Sequence, residues 1–325
     1  MTLRDPLDES LRGQIRRVAV HGHNEVRRIQ NAVEAIPDLT SSLGLDGFVA
    51  MLTADDKPRV VLRFRRSGLP SLRRLDTDVV LKVYGDRPRG EGPLLKEWRA
   101  RGLPVPSLET GETVFCSWLL MEYLPRAPML IQPDGVSELT DLLASLGPLM
   151  HAPTPQLLPV LRRLDAVMIP RWLHATVTLR QHGWQVPEAW HAAVEARYCS
   201  LEPVPLHGDL GPSNIAADAH GSPVLFDASA LLGPRAFDAA RWSARLAAWS
   251  RPPLEVFSRW LEFESCEGPD AYELLALECV LEAGSLEIVR SRKRSVRALH
   301  GLSHDSLHVD NTIKELLCVA SEILS

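Results

Sequence analysis

Residues 206–215 read LHGDLGPSNI, and they place three polar side chains around one tight turn. His207, Asp209 and Asn214 lie within this stretch, with Gly-Asp-Leu-Gly-Pro at its centre. A carboxylate can orient a hydroxyl group and accept its proton, and an asparagine carbonyl oxygen is a hard ligand for a divalent cation. The stretch therefore predicts a reaction centre or a metal site rather than a plain turn.

A second metal ligand follows at the end of a predicted hairpin. The sequence IAADAHGSPVLFD (215–227) indicates two short strands around a polar turn, which brings Asp227 back beside Asn214. The spacing from Asp209 to Asn214 is that of the catalytic loop of protein kinases, Asp-Leu-x-x-x-Asn. We therefore interpret Asp209 as the residue that orients the acceptor hydroxyl and accepts its proton. Asn214 and Asp227 are interpreted as ligands of Mg²⁺.

A phosphate-binding cation is predicted further upstream. Lys82 is the one basic residue in the largely apolar segment DVVLKVY (78–84). A buried lysine is costly unless it is paired. Glu97, on the helix predicted over 91–102, is the partner that the sequence suggests. A strand lysine held by a helix glutamate binds the α- and β-phosphates in kinases.

Together these motifs resemble the aminoglycoside phosphotransferase family, a small-molecule branch of the protein-kinase-like fold. The resemblance covers about residues 45–240 and is most specific over 206–240. The matching elements are the loop His207-Gly208-Asp209 with Asn214, the strand VLFD ending at Asp227, the segment GPRAFDAA with Gly233, Asp238 and Ala240, and the hinge-like MEYL (121–124).

The resemblance implies an α+β, two-lobed protein-kinase-like fold, with a small antiparallel-sheet N-lobe and a larger helical C-lobe. We expect a helical extension over 1–40, a nucleotide-binding N-lobe over 41–124, and a C-lobe over 125–325 with the catalytic loop and the acceptor-binding helices. The implied cofactors are ATP, with GTP as an alternative, and Mg²⁺. The backbone of Glu122, Tyr123 and Leu124 would bind adenine, while His207 and Asp238 would brace the catalytic loop.

The sequence departs from the family pattern at three places. Ala228 follows the metal-binding aspartate, where the family has Trp or Phe. No Gly-x-Gly-x-x-Gly motif is present, and Gly44 and Gly47 are the nearest substitutes for a phosphate-covering loop. An arginine-rich connection over 65–74 precedes the strand of Lys82, which allows a shift of one strand in the register of the first lobe.

Hydrophobic periodicity supports this division of the chain. A helix is predicted over 10–36, closed by Pro37, and strands over 47–52, 59–64 and 78–84. From residue 135 onward, helical segments dominate. They are predicted over 135–151, 156–182, 187–199, 235–250, 254–265, 270–296 and 311–324.

Composition excludes several classes of protein. The 325 residues carry a formal net charge of −5, which gives no general attraction to nucleic acid or to anionic membranes. Five scattered cysteines indicate neither a disulfide framework nor a zinc site. We expect a cytoplasmic protein without a membrane span, whose partners are a nucleotide and a small acceptor. The oligomeric state is left open.

The prediction of an acceptor-binding site depends on an acidic stretch, EFESCEGPDAYE (262–273). Its carboxylates could hold a cationic acceptor such as an aminoglycoside, or they could be solvated helix-start residues. The candidate acceptor contacts are Glu262, Glu264, Glu267 and Asp270. The predicted function is transfer of the γ-phosphoryl group to a hydroxyl of a small molecule, such as an aminoglycoside-like antibiotic. A choline, sugar or amino-alcohol kinase and a nucleotide-binding pseudokinase remain as alternatives.

Two further motifs favour a structural interpretation. His300, His304 and His308 follow i, i+4, i+8 spacing that could bind a metal, but Gly301 and polar neighbours favour a surface stretch. RSRKRSVR (290–297) could bind phosphate, and in an acidic protein a solvated helix face is the preferred interpretation.

Overall fold

A computed structural model describes residues 4–19, 22–52, 57–65, 78–86, 90–124, 135–199, 202–218, 220–264, 268–298 and 307–324. The chain divides into two compact units. The first contains residues 1–127 together with 216–226, and the second contains 128–215 together with 227–325.

Two helices open the first unit, where the sequence predicted one. Helix α1 (Arg4–Val18) and helix α2 (His23–Ser42) are separated at Gly22, whose φ of 101° is open to glycine but not to most residues. Pro37 does not close the helix as predicted, because it lies inside α2. The apolar stripe continues past it to the buried Leu39, and this burial outweighs the loss of one backbone hydrogen bond.

A five-stranded antiparallel sheet follows, in the order β1-β2-β3-β5-β4. Its strands are β1 (Phe48–Met51), β2 (Arg59–Phe64), β3 (Val79–Tyr84), β4 (Leu108–Glu112) and β5 (Ser117–Glu122). Strand β3 lies at the centre and is buried along its whole length, as its run of β-branched residues predicts. Helix α3 (Glu91–Ala100) connects β3 to β4.

The N-terminal helices and the sheet share one hydrophobic core. Ile29, Ile36 and Leu39 of α2 pack in the same cluster as Leu62 of β2 and Leu81 of β3. Both helices therefore contribute to the core of the first unit.

The second unit is mainly helical. Its helices are α4 (Gly135–Met150), α5 (Leu164–Gln181), α6 (His191–Tyr198), α7 (Phe237–Leu246), α8 (Pro253–Leu261), α9 (Pro269–Ala298) and α10 (Leu307–Leu324). Helix α5 begins later than predicted, since Arg162–Arg163 form the short strand β6. The predicted succession of an antiparallel sheet and then helices is confirmed.

A small sheet positions the polar loops of this unit. Strand β10 (Leu231–Gly233) lies between β6, to which it is parallel, and β7 (Val204–Leu206), to which it is antiparallel. Leu206, the last residue of β7, pairs with Leu231, the first residue of β10. The segment that leaves β7 and the segment that enters β10 therefore emerge at the same edge of the sheet.

The predicted hairpin is formed by β8 (Ile215–Ala217) and β9 (Pro223–Leu225). In its turn, the Asp218 carboxylate accepts hydrogen bonds from the backbone N–H groups of His220 and Ser222. The Leu225 N–H donates to the carbonyl of Pro104, 2.8 Å away. This bond explains why residues 216–226 belong to the first unit although their neighbours in sequence belong to the second.

Among the described residues, no helix combines the length and apolar character that a bilayer span requires. Cys116, Cys199, Cys279 and Cys318 are free thiols, and Cys266 lies outside the described residues.

Candidate active site

The catalytic-loop motif leaves strand β7 in a conformation that only glycine adopts readily. Gly208 has a φ of +74°. A β-carbon there would lie 2.7 Å from Cγ of Leu231, so the site lacks space for a side chain as well. The glycine between His207 and Asp209 is therefore required by both backbone angle and packing.

The carboxylate of Asp238 binds the backbone of this loop. One oxygen of its fully buried carboxylate accepts a hydrogen bond from the N–H of His207, and the other accepts one from the N–H of Gly208, each at 2.8 Å. The N–H of Asp209 lies 3.4 Å from Nδ1 of His207. Both contacts support the bracing roles that the sequence suggested for Asp238 and His207.

A buried histidine stands behind Asp238. Nε2 of His151 lies 3.4 Å from Oδ2 of Asp238, and Nδ1 lies 3.2 Å from Oε1 of Glu264. Burial alone would lower the pKa of His151, but the two carboxylates outweigh it and raise the pKa from 6.5 to about 9. Burial raises the pKa of Asp238, yet the contact with His151 and the other polar contacts leave it lowered overall.

Asp209 is flanked by two arginines of helix α7. Nη2 of Arg245 lies 2.5 Å from Oδ1 of Asp209, while Nη1 donates to its backbone carbonyl at 2.7 Å. Arg241 lies 3.5 Å from the same Oδ1 and also donates to the buried Glu278 at 2.8 Å. Residues four apart share a helix face, so one face of α7 fixes both the carboxylate and the backbone of Asp209.

Asn214 is tied to Asp209 through its amide nitrogen. Nδ2 donates to the carbonyl of Asp209 at 2.7 Å and to its Oδ2 at 3.2 Å. The amide oxygen faces the other way, with the Ser213 hydroxyl 3.5 Å from it. This orientation leaves the oxygen suited to a metal ion.

Asp227 sits at the strained start of the segment that enters β10. Its φ is 58°, in the left-handed region that aspartate tolerates better than most residues. Just beyond it, the N–H groups of Ser229 and Ala230 donate to the carbonyl of His207 at 2.7 and 3.3 Å. These bonds tie the segment of Asp227 to the catalytic loop.

The chemistry of these donors fits Mg²⁺. A carboxylate and an amide oxygen are hard ligands, and Mg²⁺ is usually held by one or two carboxylates together with substrate phosphates. In the part of the chain that the structure describes, no group of three or more His, Cys, Asp or Glu side chains could hold a metal by itself. Asn214 and Asp227 would therefore need ligands from a bound phosphate.

The structure pairs Lys82 with Glu91, where the sequence suggested Glu97. Nζ of the buried Lys82 lies 2.7 Å from Oε1 of Glu91, and the Tyr84 hydroxyl contacts the other oxygen of the same carboxylate. Glu97 instead contacts Arg101, one helical turn further on, at 3.0 Å. The reason is helix geometry. Glu97 follows Glu91 by six residues of α3, a net rotation of about 240° around the helix axis, so the two side chains lie on different faces.

The hinge-like segment uses some of its backbone groups within the first unit. The N–H of Glu122 donates to the carbonyl of Ser107 at 3.0 Å, and the N–H of Tyr123 donates to that of Asp78 at 2.8 Å. Adenine recognition near Leu124 would therefore rely on the other backbone groups of this segment.

A sequence model of a known enzyme family matches this chain. The sequence model of the phosphotransferase enzyme family matches residues 49–275, which is more than half of the chain.

The chain belongs to the phosphotransferase enzyme family.

This match confirms the resemblance to aminoglycoside phosphotransferases and the prediction of a phosphotransferase enzyme. A comparison with curated proteins finds no match.

Solved structures of similar fold support the kinase-like architecture of this phosphotransferase. An amicoumacin kinase is 16% identical, with a TM-score of 0.54 and coverage of 91% of this chain and 96% of its own. A spectinomycin phosphotransferase is 10% identical, with a TM-score of 0.51 and coverage of 89% and 98%. Choline kinase from Streptococcus pneumoniae is 14% identical, with a TM-score of 0.51 and coverage of 89% and 98%. At these identities the likeness shows the fold.

Of the four candidate acceptor contacts in the acidic stretch, the structure describes Glu262, Glu264 and Asp270. Glu264 is 3% exposed and faces His151, so it is a core residue rather than an acceptor contact. Asp270 forms an ion pair with Arg197 at 2.9 Å. Glu262 is exposed, and Glu267 lies outside the described residues.

The basic and histidine-rich stretches are described by the structure only in part. Arg290 is buried and contacts Glu287, so the start of the basic stretch is not the solvated face that was predicted. The remaining side chains of 292–297 lie outside the described residues, as do His300 and His304.

Sequence reasoning missed four residues that contact the predicted ones or their supports: Glu91 in the first unit, and His151, Arg241 and Arg245 in the second. Two of them carried a signal in the sequence. Arg241 and Arg245 follow Asp238 by three and seven residues, which places all three on one face of a helix. No comparable local pattern marks Glu91 or His151, because their partners are distant or on another element.

Proposed function

We propose that this phosphotransferase moves the γ-phosphoryl group of ATP to a hydroxyl group of a small molecule in a Mg²⁺-dependent reaction. The observation that carries the proposal is the loop of Asp209 and Asn214, tied to the segment of Asp227 by the carbonyl of His207. It combines a hydroxyl-orienting carboxylate with two hard metal ligands, the combination that phosphoryl transfer uses in kinases.

Asp209 would orient the acceptor hydroxyl and take up its proton as the new bond to phosphorus forms. The transition state of phosphoryl transfer is loose, so accurate placement contributes more than a strong base does. Arg245 supports that placement, since it binds both the carboxylate and the backbone carbonyl of Asp209.

Asn214 and Asp227 would hold Mg²⁺, which neutralises negative charge on the phosphates when it is bound. Lys82, kept in place by Glu91, would bind the α- and β-phosphates of the nucleotide. ATP is the first candidate for the donor and GTP the second. The supply of such nucleotides fits a cytoplasmic enzyme.

The acceptor is proposed as a small amine-bearing alcohol, with an aminoglycoside-like antibiotic as the first candidate. Two of the similar structures are named for antibiotics, amicoumacin and spectinomycin, and a third for choline. A kinase of choline, sugars or amino alcohols is therefore the second candidate. The intact set of Asp209, Asn214 and Asp227 argues against a pseudokinase, while the missing glycine motif favours it.

An acceptor screen tests the proposal. The protein is incubated with Mg²⁺ and ATP or GTP, and panels of aminoglycosides, amino alcohols and sugars are examined by mass spectrometry for the gain of one phosphoryl group. We expect modification of at least one acceptor by the wild type and none by Asp209→Ala. Nucleotide binding without modification of any acceptor would favour the pseudokinase, and equal modification by both proteins would overturn the role of Asp209.

A further inference from the structure

Three buried side chains connect the end of helix α4 to the catalytic loop. His151 directly follows α4, Asp238 lies in the first turn of α7, and Glu264 follows α8 by three residues. Their exposures are 0%, 0% and 3%. Charged groups this deeply buried are rare unless they are paired, so their arrangement calls for a reason beyond packing.

The three side chains form a chain of alternating charge. His151 lies between the carboxylates, 3.2 Å from Glu264 and 3.4 Å from Asp238, and Asp238 accepts the N–H groups of His207 and Gly208. Among the described residues, neither oxygen of Glu264 has a hydrogen-bond donor, so its ion-pair contact with His151 is the one that stabilises its charge. Protonated His151 is thus the partner of the Glu264 carboxylate. Asp238 has the same partner together with the two backbone N–H groups of the loop.

The fold makes room for this carboxylate at a specific position. Gly147, one turn before His151, lies so close to Glu264 that a β-carbon there would sit 1.8 Å from Oε1. The N–H of His151 donates to the carbonyl of Gly147 at 2.9 Å. The helix therefore presents the imidazole and the space for its second carboxylate together.

We infer that Glu264 is a positioning residue of the phosphotransferase, which acts through His151 and Asp238 on the backbone of His207 and Gly208. The inference rests on the proposed function, because the purpose of the loop is to place Asp209. Glu264 keeps His151 protonated, and protonated His151 keeps Asp238 oriented toward the two N–H groups of the loop. The acidic residue that sequence pattern assigned to the acceptor thus acts from inside the protein.

The physical basis is the balance of charge around His151. Asp238 on α7 and Glu264 after α8 are the charged groups that shift its titration, and the charge of His207 acts on Asp238 as well. Removing one carboxylate leaves burial, which favours neutral imidazole, opposed by Asp238 alone. Neutral His151 contacts Asp238 more weakly than protonated His151 does. Without the Glu264 carboxylate, His151 becomes neutral at a lower pH than in the wild type, so the loop loses part of its support at that lower pH.

Glu264→Gln tests this, with Glu255→Gln, on the exposed face of helix α8, as the matched control. We expect the pKa of His151, followed by NMR, to fall by about 1 to 2 units in Glu264→Gln. The kcat of this variant should then decline by about threefold or more between neutral pH and about pH 9, with the KM for nucleotide unchanged. Glu255→Gln should match the wild type in every measurement, and Glu264→Asp should restore part of the wild-type pH profile.

Amide hydrogen exchange separates this inference from the proposed function. Faster exchange of the His207 and Gly208 N–H groups in Glu264→Gln, with the lowered His151 pKa, would support the relay even if no acceptor were found. An unchanged His151 pKa with unchanged exchange would overturn it, whatever the activity. A stable Glu264→Gln whose kcat has the wild-type pH profile would also overturn it. Should Glu264→Gln fail to fold, His151→Gln takes its place, and unchanged exchange of the His207 and Gly208 N–H groups in a stable His151→Gln would overturn the inference.

Discussion

At the scale of single residues, the catalytic loop depends on a glycine for two separable reasons. Gly208 combines a φ of +74° with a close contact to Leu231, whereas Gly221 in the β8–β9 turn has a φ of +80° and nothing within 4 Å. Comparison of alanine at these two positions therefore separates backbone strain from steric overlap.

We predict that Gly221→Ala costs about 1–2 kcal/mol of stability from backbone strain alone. Gly208→Ala should cost about 1–3 kcal/mol more, because Leu231 must move, and should lower kcat by displacing Asp209. Chemical denaturation and steady-state kinetics measure both effects. Equal stability losses and an unchanged kcat in the two variants would contradict the packing described for Gly208.

Single residues of the site were predictable where chemistry and spacing lie within one segment. Asp209 and Asn214 are five residues apart in sequence, so their relation could be inferred from the motif. Arg245 lies 36 residues from Asp209, and Glu264 reaches His151 from the segment after helix α8, so their contacts arise from packing. The sequence therefore indicated the acidic character of Glu264 but not its place in the core.

At the scale of elements, helix α3 selects which glutamate serves Lys82. Glu91 lies in its first turn and faces strand β3, whereas Glu97 lies on another face beside Arg101. The sequence predicted both elements but not the rotation of the helix relative to the strand. That rotation depends on the packing of Leu94, Leu95 and Trp98, all of which are fully buried.

Two matched variants test this assignment. Glu91→Gln should lower kcat/KM for the nucleotide about tenfold or more, since a loss of ~1.4 kcal/mol of transition-state stabilisation is a factor of ten. Glu97→Gln removes a half-buried pair with Arg101 and should change this ratio little. The opposite ranking of the two variants would restore Glu97 as the functional partner of Lys82.

Element boundaries were harder to infer than element types. The three strands of the first sheet over 48–84 are rich in valine and aromatic residues and were predicted close to their observed limits. The break between α1 and α2 depends on Gly22, and the continuation through Pro37 depends on burial of Leu39. Tertiary contacts determine both, so local propensity does not.

At the scale of the whole molecule, the pKa of His151 couples stability to pH. It is about 9 in the folded protein and 6.5 in the reference state, so the protonated form is favoured by folding. This stabilisation is fully present below about pH 6.5 and is lost as pH rises through about 9. A shift of this size corresponds to about 3 kcal/mol, at about 1.4 kcal/mol for each pH unit.

We therefore predict that the unfolding free energy of the wild type declines between about pH 6.5 and about pH 9.5. His151→Gln should be less stable at low pH and should lack this decline. Chemical denaturation of both proteins across the range measures it. Parallel pH profiles for the two proteins would show that His151 is not the group responsible.

The division of the chain was predicted in outline and differs in its details. A sheet-rich first part and a helical second part follow from the change in hydrophobic period near residue 135. The assignment of residues 216–226 to the first unit depends on contacts such as that of Leu225 with Pro104, which are distant in sequence. Such pairings leave no periodic signal in the chain.

The central claim is that Asp209 orients the acceptor hydroxyl in a nucleotide-dependent phosphotransferase. Its most direct test is the kinetics of Asp209→Asn, a nearly isosteric change, on an acceptor identified by the screen. We predict that kcat falls by about 10²–10⁴-fold, while the affinity for nucleotide and Mg²⁺ stays at the wild-type level. Phosphoryl transfer by Asp209→Asn at the wild-type rate would contradict the claim.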